Sequence, residues 1–129
     1  MTILTWVVAC ALSGQSSTPA APPPSPNATG DVYALVFRTG PSWDKAKPPA
    51  EQAFFADHSK NLRDLRVEGR LLLGGRFSDQ GLVLVRAASV DEARALVDRD
   101  PSVKNGTFQA EVHPFRAFMP GCVGSELQK

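Results

Sequence analysis

The sequence predicts a single α+β domain built on an antiparallel sheet, and three observations support this fold class. Four short runs are rich in β-branched, leucine and aromatic residues, as strands are. Two segments between them place apolar residues every three or four positions, as amphipathic helices do. The order along the chain is strand, helix, strand, strand, helix, strand. With 129 residues, 43% of them hydrophobic, the chain has room for one domain with its own core.

The first thirty residues are predicted to precede this domain, because none of them is charged. Residues 1–12 are apolar but too short to cross a bilayer, so they predict an export signal or a lipoprotein leader. Two processing sites compete: Val7-Val8-Ala9-Cys10 resembles a lipoprotein box that would lipidate Cys10, and Ala9-Cys10-Ala11 resembles a signal peptidase site. A disordered tail is the remaining interpretation, since no Lys or Arg precedes the apolar run.

Residues 13–30 are rich in Pro, Ser and Ala and predict an extended linker. The folded domain is expected at residues 31–119, and residues 120–129 form a C-terminal tail. We therefore expect an exported protein, periplasmic or tethered to a membrane through its N-terminus. A leader that does not function would leave the protein in the cytoplasm.

The first half of the domain predicts a strand, a turn and a helix. Residues 32–37 form the strand, and a turn from Thr39 to Trp43 follows it. The next segment predicts a helix around His58, with Pro49 near its first turn. Its expected apolar side comprises Glu51, Phe54, Phe55, His58, Leu62, Leu65 and Gly69. His58 thus lies in the middle of the side that faces a core or a cleft.

The second half predicts a hairpin, a helix and a last strand. Residues 71–77, beginning with a buried Leu-Leu-Leu run, and residues 81–87 are the strands of the hairpin. Ser89-Val90-Asp91-Glu92 is a capping box that opens a helix with Ala93, Leu96 and Val97 on its buried side. Pro101 is expected to end this helix. Residues 107–118 predict a half-buried strand with Gln109, Glu111 and His113 on its polar side.

This order of elements is that of the ferredoxin-like, or split βαβ, arrangement with both helices on one face of the sheet. Three of the strands are apolar at consecutive positions, so both faces of the sheet are expected to be dry. Two helices cover only one face. A second copy is the simplest cover for the other, and the sequence therefore predicts a homodimer.

Composition excludes several functional classes. The net charge is +1, and the arginines alternate with acids along the chain, so no basic stripe indicates nucleic-acid binding. The glycines do not form a nucleotide-binding loop, and the two histidines and two cysteines lack metal-ligand spacing. We expect no metal site, no cofactor and no nucleic-acid partner.

Several motifs resemble the YCII-related family. They are Gly40-Pro41-x-Trp43, His58, Glu68 to Gly75, Ser89 to Leu96, Asp98 to Gly106, and Glu111 to Phe115, in order over roughly residues 32–118. The resemblance implies a dimeric α/β-barrel built from ferredoxin-like subunits, with a His and an Asp paired in a pocket. At matching positions these are His58 and Asp100, and a related dechlorinating enzyme of aromatic degradation is said to use that pair.

A His paired with a carboxylate can move a proton at neutral pH, because the carboxylate fixes the tautomer and raises the basicity of the other ring nitrogen. The leading hypothesis is therefore a cofactor-free lyase or isomerase that acts on a small molecule, for example an aromatic or anionic one. The alternative is a domain without catalysis, which binds a small ligand or forms a dimeric interaction module at the cell envelope. His113, Arg38 and Trp43 are weaker candidates for substrate binding.

Overall fold

The computed structural model describes residues 30–119 and 121, which fold into a four-stranded antiparallel sheet with helices on one face. The strands are β1 (Asp31–Thr39), β2 (Leu71–Phe77), β3 (Gln80–Ala87) and β4 (Phe108–Pro114), in the order β2-β3-β1-β4. The helices are α1 (Phe55–Val67), α2 (Val90–Asp98) and the short α3 (Pro101–Lys104). The α+β class is confirmed, and the arrangement is compatible with the ferredoxin-like fold.

The predicted leader with Cys10, the linker up to residue 29, and residues 120 and 122–129 of the tail lie outside the described residues. Export and lipidation therefore stay predictions. No helix among the described residues is long and apolar enough to cross a membrane.

The core lies between the sheet and the helices. Alternation along β1 turns Tyr33, Leu35 and Phe37 toward the helices. The predicted buried side of α2 is also confirmed, since Ala93, Leu96 and Val97 all join this core. On the opposite face lie Ala34 and Val36 of β1 with Leu82 and Leu84 of β3, their cross-strand partners. None of the described elements covers that face.

The predicted capping box is present at the start of α2. The Ser89 hydroxyl accepts a hydrogen bond from the Glu92 N–H at 3.1 Å. The Glu92 carboxylate accepts from the N–H of Ala88, one residue earlier than a standard box requires. This N–H and the Arg70 guanidinium, 2.9 Å away, hold the pKa of Glu92 below its ordinary value.

The prediction for the start of α1 was wrong. Pro49 opens a separate 3₁₀ turn (Pro49–Glu51), and α1 begins only at Phe55. Buried Gln52 explains the interruption, because its amide accepts from the Asp44 N–H and donates to the carbonyls of Asp44 and Lys47. Phe54 then takes a left-handed conformation with φ of 60° and is 45% exposed, so it does not belong to the apolar side of the helix.

The edges of the sheet also differ from the prediction. β2 is an edge strand with Leu72 40% exposed, not a buried strand, because only β3 pairs with it. β4 ends at Pro114, four residues before the predicted end, because its partner β1 begins only two residues before Tyr33, which pairs with Pro114. α2 already ends at Asp98, and Pro101 starts the unpredicted α3, where its missing N–H has no consequence.

The loop after β1 is held against the start of β4. The Gly40 N–H donates to the Thr107 carbonyl at 2.8 Å, and the Ser42 N–H donates to the Gly106 carbonyl at 2.9 Å. A side chain at Gly40 would collide with the Gly106 carbonyl, so this close approach requires glycine. The contact places Trp43 beside Phe108, with ring centroids 5.4 Å apart.

Candidate active site

A cleft of about 520 Å³ lies between α1 and the end of the sheet formed by the β2–β3 hairpin. Its walls are mainly aromatic and aliphatic, and Phe37, Phe55 and Phe108 come from three different elements. Its ionisable lining residues are His58, Arg76 and Asp79. An apolar cavity with a few polar groups is the usual form of a small-molecule site.

The His58 ring joins this cleft to a buried acid. Its Nδ1 lies 2.7 Å from Oδ2 of Asp100, which is fully buried. The aromatic rings of Phe37 and Phe108 pack at centroid distances of 5.0 and 4.8 Å from the imidazole. The Phe55 ring lies farther away, at 6.5 Å. The imidazole is therefore held by one polar contact and three aromatic neighbours, and its orientation is well defined.

The backbone explains why Asp100 points inward. It is the N-cap of α3, with extended dihedral angles of −72° and 120°, because the following proline disfavours helical geometry. One carboxylate oxygen accepts from the N–H and the hydroxyl of Ser102, at 2.9 and 2.7 Å. The other accepts from His58 and, at 3.2 Å, from the Asn61 side-chain amide.

These contacts determine the charge of the acid. Burial alone would raise the pKa of Asp100, but the hydrogen bonds from His58 and Ser102 outweigh burial and hold the pKa below its ordinary value. A carboxylate has no proton to donate, so the proton shared with His58 belongs to Nδ1. Asp100 is an anion at neutral pH.

A polar chain continues from Asp100 to the surface. Arg99 donates from Nε to the Asn61 side-chain carbonyl at 3.1 Å, which leaves the Asn61 amide nitrogen to donate to Asp100. The Arg99 guanidinium in turn contacts the Glu68 carboxylate at 3.2 Å. Asn61 and Arg99 thus position the acid from the side opposite to the cleft.

The second ring nitrogen of His58 is the one available to a ligand. Nδ1 is occupied by Asp100, and Nε2 has no hydrogen-bond partner among the described residues. The side chain lines the cleft and retains 11% of its surface exposed. A neutral imidazole with its proton on Nδ1 carries a lone pair on Nε2, so this atom can accept a proton.

The structure brings together some of the predicted site residues. His58, Asp100 and Trp43 belong to this region, and Trp43 lines the cleft. Arg38 and His113 lie on the other face of the sheet, because strand alternation turns Arg38 away from its neighbour Phe37. Both contact Glu111 there, Arg38 at 2.8 Å and His113 at 3.1 Å.

Other residues of the site were not predicted. Asn61 lies three positions after His58, a spacing that places two side chains on the same helix face, so the helix pattern contained this signal. Ser102 follows an Asp-Pro step, where an N-cap acid commonly accepts from the residue two positions later. Gly74 gave no local signal, because its role depends on the approach of α1 to β2. In the described part of the chain, no three His, Cys, Asp or Glu residues are grouped as a metal site requires.

The lowered pKa of Asp100 predicts a pH-dependent contribution to stability. Above the ordinary pKa of about 4 the contribution is complete, and it disappears as the pH falls through the lower pKa of the folded state. We expect Asp100→Asn to reduce the free energy of unfolding by roughly 3 kcal/mol at pH 7. The difference from the wild type should shrink below about pH 4. Urea unfolding at a series of pH values measures both quantities.

The matched control is Asp98→Asn, because Asp98 is exposed on the same segment and should leave stability nearly unchanged. A wild-type advantage over Asp100→Asn that stays constant down to pH 2 would contradict the assignment of an ionised Asp100.

The two histidines are expected to have opposite tautomers. His58 should carry its proton on Nδ1 when neutral, because Asp100 accepts there, and His113 should carry it on Nε2, which faces Glu111. Long-range ¹H–¹⁵N correlation spectra distinguish the two forms, and His113 serves as the internal reference. An Nε2-protonated His58 would show that Asp100 does not orient the ring.

Comparisons with known proteins agree with this architecture. The family model described as the YCII-related domain matches residues 33–116, which is more than half of the chain and includes the cleft, His58 and Asp100. No curated protein matches the chain. The resemblance noted from the sequence motifs is confirmed, and the chain belongs to the YCII-related domain family.

Proposed function

We propose that this protein is a cofactor-free enzyme of the lyase or isomerase kind, in which His58 moves a proton on a small molecule bound in the cleft. The observation that carries the proposal is the 2.7 Å contact between His58 Nδ1 and a fully buried Asp100, beside an apolar cleft of about 520 Å³. Asp100 orients the ring and balances the positive charge that the ring acquires when Nε2 takes a proton.

The chemistry follows from the position of Nε2. As a base, Nε2 removes a proton from a substrate carbon or oxygen and leaves the bonding electrons on the substrate. An isomerase returns the proton to another substrate atom. A lyase expels a leaving group with the bonding electrons, and the ring then gives its proton to that group or to solvent. Both routes regenerate the neutral ring and need no redox step. Asp100 is fully buried, so its interaction with the charged ring is stronger than it would be in water.

The alternative proposal is a domain that binds a small ligand without turnover. In that case the contact between His58 and Asp100 only satisfies two buried polar groups, as buried polar groups generally are satisfied. The accessible Nε2 favours a ligand-facing role of His58 over a purely structural one, because a structural imidazole has no need of an open second nitrogen. An interaction module tethered through Cys10 would need no cleft at all.

Proton transfer is testable although the substrate is unidentified. A metabolite library is screened by thermal shift, and each stabilising compound is incubated with the protein in D₂O. We expect NMR to show solvent deuterium entering one compound, or the compound turning over. His58→Gln should slow this reaction by about 10²–10⁴-fold, the usual contribution of a general base.

The control is His113→Gln, which removes the other imidazole on the far side of the sheet and should leave the rate unchanged. Equal rates in the wild type and His58→Gln would refute the role of His58. Stabilising compounds that bind but never exchange or react would favour the binding domain.

We also propose that the protein forms a homodimer through the sheet face opposite the helices. Val36, Leu82 and Leu84 form an apolar patch there, and no described element covers it. On the β2 edge, Leu72 and Phe77 are 40% and 50% exposed. Burying such a surface in a symmetric contact would remove apolar area from water in both copies.

Light scattering at micromolar concentration should give twice the mass of the chain. Leu84→Lys should yield a monomer with unchanged circular dichroism, because it places a charge in the middle of the patch. Val67→Lys is the control, since Val67 is 79% exposed on α1 and lies outside the patch. A wild-type monomer, or a Leu84→Lys dimer, would exclude this interface.

A further inference from the structure

We infer that the cleft takes a flat, largely apolar molecule with one anionic group, and that Gly74 and Arg76 of β2 select it. This inference rests on the proposed function and adds the substrate class. The two residues are separated by one position, so both face the helices, and they pair across β3 with Val83 and Gly81. All four of these residues line the cleft.

Gly74 forms an open floor where a strand residue would normally present a side chain. The strand has ordinary backbone angles there, since its φ is not positive, and no atom lies within 4 Å of the position that a Cβ would occupy. Neither the backbone nor the packing of the chain itself therefore requires glycine. Glycine weakens a strand interior, and it commonly occurs where another molecule approaches the backbone closely.

The walls around this floor favour a flat body. Trp43, Phe55 and Phe108 line the cleft together with the His58 ring. Phe108 lies at the centre of the group, 5.4 Å from Trp43, 6.3 Å from Phe55 and 4.8 Å from His58 between ring centroids. Aromatic walls bind a planar ring by stacking and edge contacts, and a floor without side chains lets the ring lie against the strand.

Arg76 provides the group that would receive an anion. It is exposed, it lines the cleft, and it forms no ion pair among the described residues, in contrast to Arg38, Arg70 and Arg99. A guanidinium presents a fork of N–H donors that matches a carboxylate. It would also stabilise the negative charge that remains on a substrate when His58 removes a proton.

Asp79 in the hairpin turn also lines the cleft and has the opposite charge. We assign anion binding to Arg76 rather than cation binding to Asp79, because proton removal by a neutral imidazole leaves negative charge on the substrate. A bound cation beside Asp79 would not stabilise that charge. The Asp79 carboxylate then repels an anionic ligand, and removal of its charge should strengthen ligand binding.

Three probes of similar size and different charge test the inference: benzoate, benzamide and benzylamine. Their affinities for the full chain are measured by saturation-transfer NMR. We expect benzoate to bind about tenfold more tightly than benzamide, as charge-assisted hydrogen bonds allow, and benzylamine to bind most weakly. Arg76→Gln should remove the advantage of benzoate, and Asp79→Asn should increase it. Arg86→Gln, which changes an arginine outside the cleft, should alter none of the three affinities.

The role of Gly74 as the floor of the cleft is tested by adding side chains of increasing size at this position. Gly74→Ala should weaken all three probes and Gly74→Val should abolish their binding, while neither lowers the melting temperature, because both residues suit a strand better than glycine. Any one of four results would overturn the inference. They are equal affinities for the three probes, tightest binding of benzylamine, no binding at concentrations on the order of 10 mM, and full binding by Gly74→Ala and Gly74→Val.

The two proposals fail in different ways. In one outcome, benzoate is preferred, the preference depends on Arg76, and no compound shows proton exchange. This result would support the assignment of the cleft ligand and refute only the proposal of an enzyme. In the other outcome, a neutral or cationic compound exchanges a proton and Arg76→Gln does not change the rate. This result would support the proposal of an enzyme and refute only the assignment of anion binding to Arg76.

Discussion

The site depends on one constraint: both oxygens of the buried Asp100 carboxylate must accept hydrogen bonds from the protein. The carboxylate has no exposed surface, so the fold must supply hydrogen-bond donors for both of its oxygens. Four donors reach it, from His58 and Asn61 of α1 and from the N–H and hydroxyl of Ser102 in α3. Because these donors belong to two helices that are distant in sequence, the acid joins α1 to the segment after α2. Separation of α1 from α3 would leave one oxygen of a buried charge without its donors.

This arrangement gives the imidazole two different surroundings. On one side His58 faces an ionised acid supported by Asn61 and Arg99, and on the other it faces an apolar cleft. A fully buried histidine would need protein partners for both nitrogens, whereas the side chain of His58 is partly exposed and lines the cleft. A proton-transferring histidine needs one nitrogen held and the other open, and the geometry of His58 matches this requirement. The open space above Gly74 enlarges the cleft on that same open side.

Membership of the YCII-related family establishes the domain type but not a reaction, because one fold can serve many functions. What a particular member does depends on the residues around the cleft. In this chain those residues include an aromatic cluster, a strand glycine without a packing role, and an arginine that forms no ion pair in the described part of the chain. The cleft and the apolar sheet face lie on opposite sides of the sheet. Substitutions in the cleft therefore leave the residues of the apolar patch unchanged, and the reverse also holds.

The sequence by itself determined the order of the strands and the two longer helices, the buried side of α2, the inward position of His58, and the end of the second helix before Pro101. These features follow from periodicity, capping and proline geometry, which act within a few residues. Only the tertiary structure decided that Asn61 and Ser102 hold the acid, that Gln52 delays α1, that β2 is an edge strand, and that Arg38 and His113 lie away from the cleft. Asp100 is 42 residues from His58 and 39 from Asn61. Contacts over such separations depend on how the elements pack, and no local pattern encodes that packing.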